Sequence, residues 1–173
     1  MVWGAKFWHG NMTAKQIFPL ENPYTQDSGG SQGICTAASL AWCRACLKKG
    51  GSVNSWEEIG VSKHMLNIQM RSLRRLDGSP AEQTEMAQLE PVGNDHNVTL
   101  IEVLRIIETT PPFTGIFWTG GHTMAYRYQH HAKEFFDMEE GLFRAKYTAG
   151  ARAKIEENYR GRVIGCRVVR LPA

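Results

Sequence analysis

The sequence predicts an α+β fold, in which a helical N-terminal half packs against a C-terminal antiparallel sheet. Apolar residues recur at helical spacing up to about residue 108, whereas short β-branched and aromatic runs separated by polar turns follow from residue 113. The two kinds of segment do not alternate, as the strands and helices of a doubly wound parallel sheet would. The order therefore favours segregated helices and strands.

The individual elements follow from periodicity and from the residues that end each segment. Predicted helices span residues 35–49, 55–76, 81–89, 98–108 and 151–160, and predicted strands span residues 113–118, 123–128, 134–136, 142–145 and 163–170. Gly50-Gly51 ends the first helix, and Thr110-Pro111-Pro112 ends the fourth. Because the strands are short and joined by polar turns, hairpins and an antiparallel sheet are expected.

Length and composition indicate one folded domain. The chain has 173 residues, of which 42% are hydrophobic and 10% are aromatic, which is enough for a core without disulfides or metals. We expect a single domain over residues 1–173, in which residues 1–33 are irregular because they carry turn and glycine-rich sequences. Four cysteines, with Cys43 and Cys46 on one predicted helix, do not indicate a disulfide framework.

Charge and hydropathy argue against nucleic acid and membranes as partners. The formal net charge is +3 and the basic residues are scattered, whereas nucleic-acid-binding surfaces concentrate them. No apolar run approaches the ~20 residues that cross a bilayer, and the N-terminus lacks the charged start and apolar stretch of a Sec signal peptide. We expect synthesis in the cytoplasm, with any export following a route that leaves no such signal.

Cys35 is the most informative residue of the sequence. It follows the glycine-rich run Gly29-Gly30-Ser31-Gln32-Gly33 and is expected to open the first helix. The positive end of the helix dipole and the free amide groups there favour a thiolate, and the glycines let a substrate backbone approach. The position suits a nucleophile, although a free cysteine is also often a small buried hydrophobic residue.

His122 and Asp137 are the candidates for the partners of that thiol. His122 precedes one predicted strand and Asp137 ends the next, with the polar tip Gln129-His130-His131 between them. A hairpin turning at this tip brings the two residues together within one or two positions of register. The carboxylate is then expected to accept the imidazole Nδ1–H, which leaves Nε2 for the thiol proton. The alternative is a turn histidine and a strand-end carboxylate without a catalytic role.

Three segments of the chain are similar to the YopT/AvrPphB-type cysteine proteases, a family of bacterial effectors with a papain-like fold. They are Gly33 to Trp42, which holds Cys35 and a tryptophan seven positions later; Gly121 to Ala125; and Glu134 to Phe143, with its aromatic-aromatic-Asp sequence. The order Cys, His, Asp along the chain matches as well. The resemblance implies a papain-like fold with Cys35 as nucleophile, His122 as general base and then acid, and Asp137 as orienting residue.

Two features of the site depart from the family or are left open by it. Met138-Glu139 stands where the family usually has Pro-Asn, which bears on the turn after Asp137. A papain-like site also needs an amide donor shortly before the nucleophile, to hold the oxyanion together with the Cys35 backbone N–H. Gln32 is nearer in sequence, whereas Gln26 is closer to the papain spacing, and both remain candidates.

The resemblance implies a cysteine protease that requires no metal and no cofactor. It further implies an effector or toxin that a specialised secretion system delivers into a target cell, where a protein is its substrate. An immunity protein or a chaperone would be a further partner. Whether the target is a host cell or a rival bacterium is left open.

Three other functions are alternatives to a cysteine protease. The same nucleophile and base also support glutamine deamidation, transglutamination or acyl transfer, and a catalytically inactive papain-like module would only bind a partner. A Cys/His metal-binding regulator is disfavoured, because Cys43-x-x-Cys46 has no second pair of ligands at metal spacing. Cys43, Cys46 and Cys166 are expected to be packing residues.

Overall fold

The architecture is an antiparallel sheet with helices on both faces. The computed structural model describes residues 13–20, 34–66, 68, 80–96, 99, 102, 105, 113–119, 122–129, 132–159 and 163–173. The helices are α1 (Cys35–Lys49), a short 3-10 helix (Glu57–Ile59), α2 (Pro80–Met86) and α3 (Thr148–Tyr159). The strands are β1 (Lys15–Pro19), β2 (Glu90–His96), β3 (Phe113–Thr119), β4 (Thr123–Gln129), β5 (Ala132–Asp137), β6 (Gly141–Ala145) and β7 (Val163–Arg170).

The sheet confirms the predicted α+β class. In the described part of the chain it has seven strands in the order β1-β6-β5-β4-β3-β7-β2, and every neighbouring pair is antiparallel. Strands β3 to β6 follow one another as neighbours, as short connections predict. Strand β7 comes last in the sequence but lies between β3 and β2.

Successive residues of the central strands enter two separate cores. Phe136 packs with α1 on one face of the sheet, and the preceding Phe135 packs with Ala151 and Ile155 of α3 on the other face. This alternation is the normal consequence of strand geometry. No helix among the described residues is long and apolar enough to span a membrane.

Helix α1 lies against the centre of the sheet and is almost wholly buried over its first turns. Its bounds and its end confirm the sequence-based prediction for residues 35–49. Gly50 adopts a left-handed conformation with φ of 62°, and its amide bonds to the last carbonyls of the helix, which is a normal glycine C-cap. Lys48 and Lys49 occupy the last turn, where positive charge complements the helix dipole.

The two edge strands are absent from the sequence-based prediction. Residues 15–19 belong to the segment expected to be irregular, yet they form β1 and pair with β6. Strand β2 contains proline, glycine, asparagine and aspartate, which is turn-like composition, and its register with β7 is interrupted between Val92 and His96. Pairing with a strand distant in sequence overrides the weak local preference in both segments.

Two predicted helices also need correction or lie partly outside the described residues. The prediction of one helix that begins at Ser55 is wrong at its start. Gly60 (φ 76°) ends the 3-10 helix, and a new helical turn begins at residue 63. Residues 69–76 of this prediction lie outside the described residues. Of the predicted helix 98–108, Thr99 and Glu102 form a reciprocal cap, since the Thr99 N–H donates to the Glu102 carboxylate at 2.9 Å and the Glu102 N–H donates to Thr99 Oγ1 at 3.4 Å.

Candidate active site

Cys35, His122 and Asp137 meet where α1 begins, β4 begins and β5 ends. His122 Nε2 lies 2.9 Å from Asp137 Oδ1, and the imidazole also hydrogen-bonds with the Cys35 side chain. Asp137 is 0% and Cys35 is 1% exposed, whereas the imidazole keeps 12% of its surface accessible. The structure thus places one imidazole between a buried carboxylate and a buried thiol.

The β4–β5 hairpin brings His122 to Asp137. Ala125 lies opposite Phe136, which is the last pair of this ladder, so Asp137 is the next residue of β5 and is level with Met124, two positions from His122. Asp137 is therefore diagonal to His122, within the range expected from the sequence. Residues 130 and 131 of the predicted hairpin tip lie outside the described residues.

The ring nitrogen that faces Asp137 differs from the one expected. Asp137 contacts Nε2, not Nδ1, so the sequence-based assignment of the two nitrogens is wrong. The nitrogen that faces the carboxylate depends on how the imidazole is turned about its side-chain bonds, which the alternation of a strand does not specify. Nδ1 is then the nitrogen left for the Cys35 thiol, and it also lies 3.7 Å from Oε1 of Glu139.

The turn after β5 fixes the Asp137 carboxylate. Asp137 Oδ1 accepts the Glu139 backbone N–H at 2.8 Å, and the Asp137 carbonyl accepts the Glu140 N–H at 3.3 Å. Met138 is fully buried in the core beneath α1. Although Met138-Glu139 departs from the Pro-Asn of the family, the turn holds the carboxylate by an aspartate side-chain-to-backbone bond.

The surroundings of His122 favour its protonated form. Burial lowers the pKa of His122, but the hydrogen bonds and negative charges of Asp137 and Cys35 outweigh burial and raise the pKa to about 10. An imidazolium at neutral pH is the counter-ion that a cysteine thiolate requires. The site can therefore hold a thiolate–imidazolium pair.

The N-terminus of α1 presents its first backbone amides beside Cys35. Ile34 is the N-cap residue, no side chain of the described residues caps the helix, and its first turn contains no acidic residue. Free N–H groups at this end of a helix favour negative charge. The two candidate oxyanion residues, Gln26 and Gln32, lie outside the described residues, so their role stays a prediction.

Two further contacts lie beside the three side chains, and the sequence predicts neither of them. Thr36 Oγ1 and Thr123 Oγ1 lie 2.8 Å apart, and Trp42 stacks on Phe136 with ring centroids 5.6 Å apart and an interplanar angle of 7°. The feature of the sequence that indicates such a hydroxyl pair is the presence of small polar residues within a helix that is otherwise apolar. Their partner on the sheet cannot be identified from the sequence alone.

The other three cysteines are buried away from this site, as expected for packing residues. Burial, and then the neighbouring Cys46, raise the pKa of the Cys43 thiol well above its usual value. Burial raises the pKa of Cys46 to about 12 and that of Cys166 to about 11. These thiols stay protonated at neutral pH, so they are weak nucleophiles.

Among the described residues, one group of three side chains has the atoms that could bind a metal ion, and this group lies in the same site. Ligand atoms of His122, Asp137 and Glu139 lie within 4.8 Å of one another. Because Asp137 already binds Nε2 and the Glu139 amide, this arrangement is accounted for by hydrogen bonding. We assign no metal to it.

Comparisons with known proteins support the fold. No protein-family model matches the sequence, and no curated protein matches it. Among solved structures, the crystal structure of the Pseudomonas avirulence protein AvrPphB matches with a TM-score of 0.60, over 92% of this chain and 96% of that chain, at 11% sequence identity. The chain therefore shares the papain-like α+β fold of AvrPphB.

Proposed function

We propose that this protein is a cysteine protease in which Cys35 is the nucleophile, His122 the general acid and base, and Asp137 the orienting residue. The observation that carries the proposal is the single imidazole that bonds both to a buried carboxylate at 2.9 Å and to a thiol at a helix N-terminus. The fold shared with AvrPphB and the resemblance of three sequence segments to the YopT/AvrPphB-type proteases point to the same activity.

The chemistry follows from the charge states of these groups. The Cys35 thiolate attacks the carbonyl carbon of a peptide bond, and the backbone N–H of Cys35, with Gln32 or Gln26, holds the resulting oxyanion. As the C–N bond breaks, the His122 imidazolium donates its proton to the leaving amine. Water then attacks the thioester carbon while His122 takes its proton, the C–S bond breaks, and the Cys35 thiolate leaves beside the re-formed imidazolium.

Asp137 serves this reaction by holding the ring. It accepts the Nε2–H, so that Nδ1 points away from the carboxylate and toward the sulfur, and its charge stabilises the imidazolium. No metal or organic cofactor takes part in these steps. The substrate we propose is a protein of a target cell, reached through a specialised secretion system, as for the effector family that the sequence resembles.

Proteolysis is tested by expressing the chain in cells and mapping newly created protein N-termini by mass spectrometry. The intact protein is expected to create N-termini that are absent with Cys35→Ala. Cys166→Ala is the matched control, because Cys166 lies in the core on the other face of the sheet. It is expected to create the same N-termini as the intact protein.

The other outcomes of this experiment identify the alternatives. Glutamine-to-glutamate conversion or acyl transfer in a target, without new N-termini but still dependent on Cys35, would show another reaction of the same nucleophile. An effect on cells that survives Cys35→Ala unchanged would show a binding module. Either outcome would contradict the protease assignment.

A further inference from the structure

A pair of buried threonine hydroxyls joins the helix that carries the thiol to the strand that carries the imidazole. Thr36 Oγ1 and Thr123 Oγ1 are 2.8 Å apart, although 87 residues separate them in sequence. Thr36 is 5% and Thr123 is 6% exposed, so water does not compete with this bond. Each threonine directly follows a residue of the site, Cys35 in one case and His122 in the other.

Ser39 adds a second bond to the same point of the sheet. Its hydroxyl donates to the Thr123 carbonyl at 3.2 Å, and Ser39 is 0% exposed. The β4–β5 ladder ends at the pair Ala125–Phe136, so Thr123 lies beyond that ladder and its carbonyl is available to the helix. Two hydrogen bonds from successive turns of α1 therefore converge on one residue.

These hydrogen bonds fix the position of α1 on the sheet more narrowly than its apolar contacts do. Further along α1 the Cys43 thiol donates to the Gly115 carbonyl of β3 at 3.4 Å. The other contacts between α1 and the sheet are largely apolar, as with Leu40 against the cluster of Ile116 and Ala125, and such contacts are non-directional. A hydrogen bond has a narrow distance range and a preferred direction. At the N-terminal end of α1 the position of the helix along the strand is accordingly specified at Thr123, one residue from His122.

We propose that Thr36 and Thr123 are positioning residues, whose hydroxyl pair sets the separation between Cys35 Sγ and His122 Nδ1. This inference rests on the proposed function, since it assumes that the two atoms exchange a proton. Each hydroxyl has the other as its hydrogen-bond partner, so we assign neither of them a part in the proton exchange itself. Losing the pair lets the thiol and the imidazole move apart, which weakens the thiolate–imidazolium pair and makes Cys35 less reactive.

The test measures the alkylation rate of Cys35 by iodoacetamide as a function of pH. Thr36→Val and Thr123→Val remove one hydroxyl each at nearly constant volume, and Thr36→Ser restores the hydroxyl. We expect each valine variant to lower the rate at neutral pH by about three- to tenfold and to move the pH profile upward. Thr36→Ser is expected to stay close to the intact protein.

The double variant and a control separate positioning from general loss of stability. Because the two hydroxyls act through one bond, the double valine variant is expected to be no slower than the slower single variant. Thr114→Val removes a buried hydroxyl elsewhere in the sheet and is expected to keep the pH profile of the intact protein. Circular dichroism at the assay temperature establishes that each variant is folded.

The outcomes distinguish this inference from the proposed function. A reactive Cys35 whose pH profile is the same in folded Thr36→Val and Thr123→Val overturns the inference and leaves the protease assignment standing. Additive losses in the double variant overturn it as well. A thiol that is unreactive in the intact protein, at pH values where imidazolium is present, overturns the proposed function and the inference with it.

Discussion

At the scale of single residues, the protonation of His122 links the chemistry of the site to its stability. Asp137 and Cys35 raise the pKa of His122 from its ordinary value of 6.5 to about 10. A group whose pKa is higher in the folded than in the unfolded state stabilises the fold most fully below its unfolded pKa. This contribution is lost as the pH rises from 6.5 through about 10.

With Cys35→Ala in both proteins, we expect the stability advantage of His122 over His122→Gln to shrink as the pH rises above about 7. The measurement is the free energy of unfolding in denaturant for both proteins at several pH values. Cys35 is removed because its thiol titrates together with His122, whereas groups that titrate equally in both proteins cancel in the difference. An advantage that stays constant over this range would mean that His122 does not carry a raised pKa.

Replacing Asp137 separates its hydrogen bond from its charge. Asp137→Ala removes both, and we expect the alkylation rate of Cys35 at neutral pH to fall roughly 10- to 100-fold, the effect of losing a charge-assisted hydrogen bond. Asp137→Asn keeps an acceptor for Nε2–H and is expected to lose less. Equal rates in all three folded proteins would contradict an orienting role for Asp137.

At the scale of secondary-structure elements, the turn between β5 and β6 has a strict backbone requirement at Gly141. Gly141, opposite Asp137 in the ladder, has a φ of 114°. A Cβ atom there would overlap the Phe18 carbonyl oxygen of β1. Both the backbone conformation and the close approach of β1 thus require glycine.

Gly141→Ala is accordingly expected to destabilise the protein by at least about 2 kcal/mol. Gly93→Ala is the matched control, because Gly93 also has a positive φ, of 73°, but has open space around it. We expect it to cost only about 1 kcal/mol. Thermal or denaturant unfolding measures both, and similar losses for the two variants would show that the β1 contact is not limiting.

The elements that the sequence predicts well are those with strong local signals. Helix α1 has an apolar sequence and a glycine stop, and β3, β4 and β7 are rich in aromatic or β-branched residues, so their positions agree closely with prediction. Strands β1 and β2 owe their conformation to partners distant in sequence. Gly60 adopts a left-handed conformation and divides the predicted helix. The apolar spacing continues across Gly60, so the sequence pattern does not reveal this break.

The same distinction applies to the site. A hairpin between neighbouring strands predicts that His122 approaches Asp137, and that pair could be located from the sequence. The ring nitrogen that faces Asp137 depends on how the imidazole is turned, and the Thr36–Thr123 bond depends on where α1 lies along β4. Both depend on three-dimensional details that no local pattern encodes.

At the scale of the whole molecule, a buried group of charges joins the sheet to the loop after α1. Glu134 is 0% exposed and contacts Arg127 and Arg144, each at 2.6 Å. Arg127 also donates to Ser52 at 3.2 Å, and Arg144 donates to Asn54 at 2.8 Å. These bonds fix the C-terminal end of α1 while the hydroxyl pair fixes its N-terminal end.

Glu134→Ala leaves Arg127 buried without its carboxylate, and we expect a loss of about 3–5 kcal/mol in the free energy of unfolding. Glu156→Ala is the control, since it removes only an exposed pair with Arg152 on α3 and is expected to cost less than about 0.5 kcal/mol. Denaturant unfolding compares the two. Equal small effects would show that the buried charges do not hold the loop to the sheet.

In the function proposed above, Cys35 is the nucleophile that His122 activates, and the other three cysteines are inert. The most direct measurement is mass-spectrometric mapping of the four cysteines after brief treatment with a limiting amount of iodoacetamide at about pH 6, well below the pKa of an ordinary thiol. We expect Cys35 to be modified first, and we expect this modification to be lost in folded His122→Ala. Equal labelling of the four cysteines, or labelling of Cys35 that does not depend on His122, would contradict it.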